Sequence, residues 1–186
     1  MSSAVDRKII CTKENIILSK DVKTNTFNLE FDITNPSICL PRLINFSIFQ
    51  LLGELNKDVL QSVEVTKTYS DSEIDLLYIF KQFGADLGIA QKYMHIRVNG
   101  IAEDKRITFT SKSSPYDSTL DKRLELIDDS ESTMVVEWEH EHNVHVSYYF
   151  KAHVQDSLPI YMENLMGMLT KKMFYRVKTF IENMKI

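Results

Sequence analysis

DSLPIYMENLMGMLTKKMFYRVKTFIENMKI, residues 156–186, is the stretch from which the rest of the chain is read. Leu158, Met162, Leu165, Met166, Leu169, Met173, Val177, Phe180, Ile181 and Met184 recur at three- and four-residue steps, which puts them on one face of a single long helix. Glu163, Lys171, Lys172, Lys178 and Glu182 fall on the other face. At about 1.5 Å per residue such a helix is about 40 Å long, the width of a small domain. An apolar stripe of that length needs a surface to lie on, and the residues before it have to supply one.

The composition allows this. With 186 residues, 44% hydrophobic and 26% charged, the chain is globular material in the size range of one domain, so 1–186 reads as a single unit with 1–14 as a loose or docking extension. A net charge of −4 argues against a nucleic-acid partner, which calls for a basic face to neutralise phosphates. Cys11 and Cys39 make no disulfide framework and read as buried thiols in a reducing compartment. Residues 1–7 are polar, unlike a signal peptide, and no apolar run reaches the roughly 18–20 residues that span a bilayer. A soluble, cytoplasmic protein is expected, in transient contact with membranes at most.

Along the chain, 15–20 and 26–33 read as a hairpin around a polar turn at 21–25, because Phe27, Leu29, Phe31 and Ile33 alternate with polar neighbours. Thr34, Asn35 and Pro36 stop that strand and offer a helix cap. Ser37 to Leu55 has helical spacing, with Pro41 pointing to a break or a late start. Residues 63–65 and 74–80 read as two strands turning at 69–72, and apolar residues on both sides of 76–80 imply a strand covered on both faces. In 91–100, Tyr93, His95, Arg97 and Asn99 take one side and Met94, Ile96 and Val98 the other, with Asn99-Gly100 suited to a sharp turn. Strands at 106–112, 123–127, 133–142 and 144–153 follow, before the long helix. Two strands, a helix, about six antiparallel strands and a long last helix make an α+β arrangement, a curved antiparallel sheet gripping one helix. Curvature leaves room between sheet and helix, where small apolar ligands bind.

Three stretches carry a family likeness. Leu55-Asn-Lys-Asp-Val-Leu-Gln-Ser-Val-Glu-Val65, followed by Asp75-Leu-Leu-Tyr-Ile-Phe80, resembles the START stretch in which a Trp-Asp pair precedes two strands. Gly88-Ile-Ala-Gln-Lys-Tyr-Met-His-Ile-Arg97 is similar to the segment where START proteins often have Arg-Asp-Phe, here Gln91-Lys92-Tyr93. Ser157-Leu-Pro-Ile-Tyr-Met-Glu-Asn-Leu-Met166 is similar to the Leu-Pro start of their last helix. The order of elements from Ile16 onward resembles the helix-grip fold of START domains, the StAR-related lipid-transfer group, and of its Bet v 1-like relatives.

That resemblance implies a tunnel holding one lipid or other hydrophobic small molecule between sheet and helix, with no chemistry done on it and no cofactor. It implies a cavity arginine at Arg97, polar neighbours at Tyr78, Tyr93 and His95, and a wall of Met162, Met166, Leu169 and Met173. The methionines suit a flexible ligand and equally suit a packed core. Gly167 in mid-helix costs about 1 kcal/mol against Ala, so a ligand or a close strand needs its space. The alternative reading is a structural subunit of a larger assembly, which keeps the fold and fills the cavity.

Other chemistry has less support. His140 and His142, with His145 and His153 near, lack a third ligand of metal-site geometry. With Glu137, Glu139 and Glu141 they read instead as a charged strand at 137–142 able to meet a protein partner. No nucleophile motif and no glycine-rich phosphate loop occurs, so no enzyme is expected.

Overall fold

The computed structural model describes residues 7–83, 85–116, 120, 122–151 and 164–185. Strands β1 (Arg7–Lys13), β2 (Ile16–Asp21) and β3 (Thr26–Thr34) form a meander, followed by a 3-10 turn at Leu40–Leu43 and helix α1 (Ser47–Leu55). Then come β4 (Leu60–Ser70), β5 (Glu73–Phe80), β6 (Lys92–Glu103), β7 (Arg106–Ser113), the two-residue β8 (Glu125–Leu126), β9 (Glu131–His140), β10 (Asn143–Lys151) and α2 (Leu165–Asn183). The sheet runs β1-β2-β3-β10-β9-β7-β6-β5-β4, open at both edges, with β8 off this path and parallel to β6. The fold is the α+β helix-grip arrangement, with α1 and α2 against one face of a curved sheet.

Strand parity decides which face is inner. Phe27, Leu29, Phe31 and Ile33 of β3 and Val144, Val146 and Phe150 of β10 are all buried in one core cluster that also holds Met173, Phe174, Val177 and Ile181 of α2. Phe31 stands opposite Val146, and Phe27 opposite Phe150, so the two strands present matched apolar rows to the helix. β5 is buried at every position from Ile74 to Tyr78, as two-sided apolarity requires. Positive φ falls at turn residues, among them Asn15 and Asn25, which tolerate it, and Glu14 and Lys105, which do so less readily.

The structure corrects several local expectations. Residues 7–13 are an edge strand on β2; exposure on both faces removes the alternation that would have revealed it. Ser37 to Leu55 is not one helix: Pro41 sits in the 3-10 turn, and α1 starts at Ser47, whose amide donates to Asn45 Oδ1 at 2.8 Å. β6 runs through Gly100 to Glu103. That glycine answers a close approach, since a Cβ there would lie 3.2 Å from both the Phe109 and Phe46 rings. The strand expected at 123–127 shrinks to β8. The helix start expected at Asp156 lies outside the described residues, within which α2 begins at Leu165 and gives way to extended backbone at Met184.

Gly167 needs its space for a strand. A Cβ there would stand 2.7 Å from the Phe27 ring, which sets how near α2 comes to β3. At the other end, Asn35, 1% exposed, donates from Nδ2 to the Ile181 and Met184 carbonyls at 2.7 and 3.0 Å, closing off the last turn of α2. Lys178 donates to the Asp32 carbonyl at 2.6 Å and pairs with Glu182, whose Oε1 accepts from the Thr34 amide. In mid-helix, fully buried Asn56 donates to the Leu52 and Met173 carbonyls and accepts from Arg176, fastening α2 to the end of α1.

Candidate functional site

The sheet and α2 do not meet along their whole length. Toward the N-terminal half of α2 they enclose a cavity of about 100 Å³. Met166, Leu169, Met173 and Phe174 line it from α2, Phe49 and Leu52 from α1, and Tyr78, Phe80, Met94, Ile96, Tyr148 and Phe150 from the sheet. It lies at the end of the molecule where β5, β7 and β10 finish and β6, β9 and α2 begin. Leu165, Met166 and Leu169 are half-buried there, whereas Val177 and Ile181 further along α2 are buried.

Beyond it, under the C-terminal half of α2, lies a second void of about 30 Å³ with an apolar lining that includes Phe31, Val136, Val146, Val177 and Ile181. Phe174 is the one described residue common to both linings. Its ring is held between Phe31 and Tyr148, at centroid distances of 5.8 and 4.8 Å.

The polar groups of the larger cavity are nearly all hydroxyls. Ser111 and Ser132 approach to 2.6 Å, and Tyr148 joins them in the lining, which places hydroxyls along β7, β9 and β10. Tyr78 reaches in from β5 and is 5% exposed. Burial pushes both tyrosine hydroxyls up from their ordinary pKa, and the neighbouring Tyr148 phenol adds to the rise at Tyr78, so both stay protonated. Glu131 and Lys151, opposite each other across the β9–β10 ladder, are the charged members of the lining.

The expected ligand residues therefore divide. Tyr78, Met166, Leu169 and Met173 line the cavity together, while Met162 lies outside the described residues. Tyr93, His95 and Arg97 are on the opposite face of the sheet, because their β6 neighbours Met94 and Ile96 are the ones that point inward. Arg97 donates to Asp75 at 2.9 and 3.2 Å and lies over the Tyr69 ring at 4.3 Å. Burial alone would raise the Asp75 carboxyl, but hydrogen bonds from Arg97 and Tyr69 hold it below its usual range. His95, 2% exposed, is within hydrogen-bond distance of Thr66 and Ser114 and stacks on Tyr116 at 4.5 Å. It anchors the segment after β7 to the outer face of the sheet.

The polar positions implied by the resemblance leave out most of the wall. The register shows why, pairing Asp75 with Arg97 and Tyr78 with Met94, so Tyr78 and Arg97 cannot share a face. Tyr148 and the serines of β7 and β9 carried no signal beyond that same parity. At the opposite end of the sheet, Glu137, Glu139 and His140 line an open cleft with 103–106, while His142 falls in the turn and bonds to the Ile38 carbonyl at 2.8 Å. Among the described residues no group of three or more His, Cys, Asp or Glu is placed to hold a metal ion, and no helix is long and apolar enough to cross a membrane.

No protein-family profile matches the chain, and no curated protein does. Solved structures match across nearly its whole length. A STAR-related lipid transfer protein from Xanthomonas axonopodis is 13% identical, over 94% of this chain and 98% of that one, with a TM-score of 0.75. Human STARD10 is 8% identical over 97% of this chain and 74% of that one, with a TM-score of 0.74. The human StarD13 lipid transfer and protein localization domain is 10% identical over 96% and 90%, with a TM-score of 0.70. At such identities the likeness speaks for the fold, which is START-type helix-grip, and the site has to be argued from its own side chains.

Proposed function

We propose that this protein is a non-catalytic lipid-binding or lipid-transfer domain that holds a hydrophobic ligand between its sheet and α2. The cavity of about 100 Å³ carries this reading, because an apolar enclosure with a few convergent hydroxyls is the form a ligand site takes. The fold shared with proteins described as lipid-transfer domains supports it. Tyr78, Met166, Leu169 and Met173 form part of the wall. Arg97, held by Asp75 on the outer face, takes no part. Unbranched methionines at Met94, Met166 and Met173 let that wall yield to a flexible guest.

Organic extraction of the purified protein followed by mass spectrometry tests this, the expected result being a lipid in roughly one-to-one ratio. Met166→Trp fills the cavity from its half-buried side. Uptake of a fluorescent fatty acyl probe should be lost while thermal unfolding stays cooperative. Strong destabilisation would mean the space is already close-packed.

A second reading draws on the modest size of the cavity and on the smaller void beside it. In it the domain has kept the fold, closed the gap, and works as a subunit of an assembly through the charged strand at 137–142. Empty extracts together with isolation in a stable complex would favour that reading.

A further inference from the structure

The sheet ends in two unlike edges. β4, at one end, breaks its register with β5 at three places and carries both Glu64 and Lys67, features that keep an edge from pairing further. β1, at the other end, has a single break, between Ile9 and Cys11, and among the described residues nothing pairs with its free edge. All of its residues but Ile10 and Cys11 are exposed. A row of backbone N–H and C=O groups there faces solvent.

The side chains along that edge limit what fits it. Arg7, Lys8 and Lys13 are the charged residues of β1, all positive in a chain of net charge −4. Arg7 pairs with Glu30 at 3.2 Å, and Lys13 lies 3.9 Å from Glu14, which Lys171 already holds, so the edge keeps a positive charge. By register with β2, Lys8, Cys11 and Lys13 point to the helix side of the sheet, and Arg7, Ile9 and Thr12 to the outer side. Met168, Lys171 and Tyr175 share one flank of α2, and the 3.3 Å contact of Lys171 with Glu14, in the turn after β1, puts that flank beside the edge. Ile9 is 63% exposed and Met168 43%. A second copy of β1 laid antiparallel would set Arg7 and Lys8 against Lys13, like charge on like.

We propose that β1 is a docking edge for an extended segment of another protein, apolar at its centre and acidic at its ends, which adds to the sheet as one more strand. Backbone hydrogen bonds to β1 supply the attachment. Lys8 and Lys13 meet the acidic ends, and the central side chains lie against Ile9 on one face and Met168 on the other. So short a strand buries less than a standard interface, so the contact is weak by itself and sensitive to salt. The edge is separate from the cavity, and its use as a docking site does not depend on a lipid being carried.

Fluorescence anisotropy on the full chain tests this with a labelled peptide, Glu-Glu-Val-Thr-Val-Glu-Glu. The controls are the same peptide with lysine for every glutamate and one with proline for both valines. The acidic peptide should bind and be weakened by salt, and the controls should bind about tenfold less well or worse. Hydrogen exchange on the complex should show new protection at amides within 7–13. Lys8→Glu combined with Lys13→Glu, both at exposed positions, should weaken the acidic peptide about tenfold and turn the preference to the lysine one. Met168→Ser, also exposed, should weaken it about threefold. No binding, equal binding of either control, or binding that leaves exchange at 7–13 unchanged would overturn the proposal, the last two reducing the edge to plain ionic attraction. A dimer in sedimentation velocity whose formation protects 7–13 would give the edge to a second copy and overturn it as well.

Discussion

The two halves of α2 cover the same sheet in different ways. Its C-terminal half lies on a nearly closed space of about 30 Å³ and is held through backbone groups: Asn35 on the Ile181 and Met184 carbonyls, Lys178 on the Asp32 carbonyl. Its N-terminal half lies over about 100 Å³ and is held chiefly by side-chain ion pairs, Lys171 with Glu14 at 3.3 Å and Lys172 with Asp58 at 2.8 Å, with one longer backbone bond of 3.4 Å from Asn56 to the Met173 carbonyl. Asn164 at its start makes no side-chain cap. Buried bonds to backbone fix geometry, whereas the half-exposed Lys172–Asp58 pair contributes little; Lys171, whose side chain is 6% exposed, is the firmer of the two. One end of the helix is held mainly through backbone groups, and the other mainly through side chains.

Phe174 stands on the boundary, so removing it should do the most damage. Phe174→Ala deletes a buried ring that packs on Phe31 and Tyr148, and should cost about 3–5 kcal/mol of unfolding free energy in a urea titration. A loss below about 1 kcal/mol would mean that the ring is not a structural wall and that the two spaces are already one.

Gly167→Ala tests how closely the open half approaches the sheet. Helix propensity alone would make it stabilising by about 1 kcal/mol. The new Cβ would stand 2.7 Å from the buried Phe27 ring, itself stacked on Phe150 at 5.2 Å, so a net loss of about 1–3 kcal/mol is expected. A rise in Tm would show that α2 floats above β3 at this point.

The closed half was the more legible in sequence. Val177 and Ile181 fall on the helical stripe, and the alternation of β3 puts Phe31 and Ile33 on the inner face. The order of elements from Ile16 carried the fold. The open half was read less well, because a cavity wall is chosen by which strands pair and in what register. Arg97 was expected in the cavity, but setting β5 against β6 gives it Asp75, 22 residues away, as its partner on the outer face. Tyr148 and Phe150 are inner for the same reason, and neither residue type announces it. Phe174, next in sequence to the stripe residue Met173, is visible as a partition only once both voids are seen.

The smallest expected effect lies in the ion pairs themselves. Hydrogen bonds from Arg176 and Lys172 hold the Asp58 carboxyl well below its ordinary value of 3.8. A carboxyl lowered in the folded state adds stability above its unfolded pKa and loses it as pH falls through the folded one. Asp58→Asn should therefore lower Tm slightly at neutral pH, and the gap from wild type should narrow once pH drops below about 3.8. Because Asp58 is half exposed, the stability change should stay below about 1 kcal/mol. Hydrogen exchange should resolve it better: amides at 168–173 should speed up, while those at 178–183, tied by Asn35 and Lys178, should not. Equal acceleration along all of α2 would mean that the helix moves as one rod and that its two halves are not separately anchored.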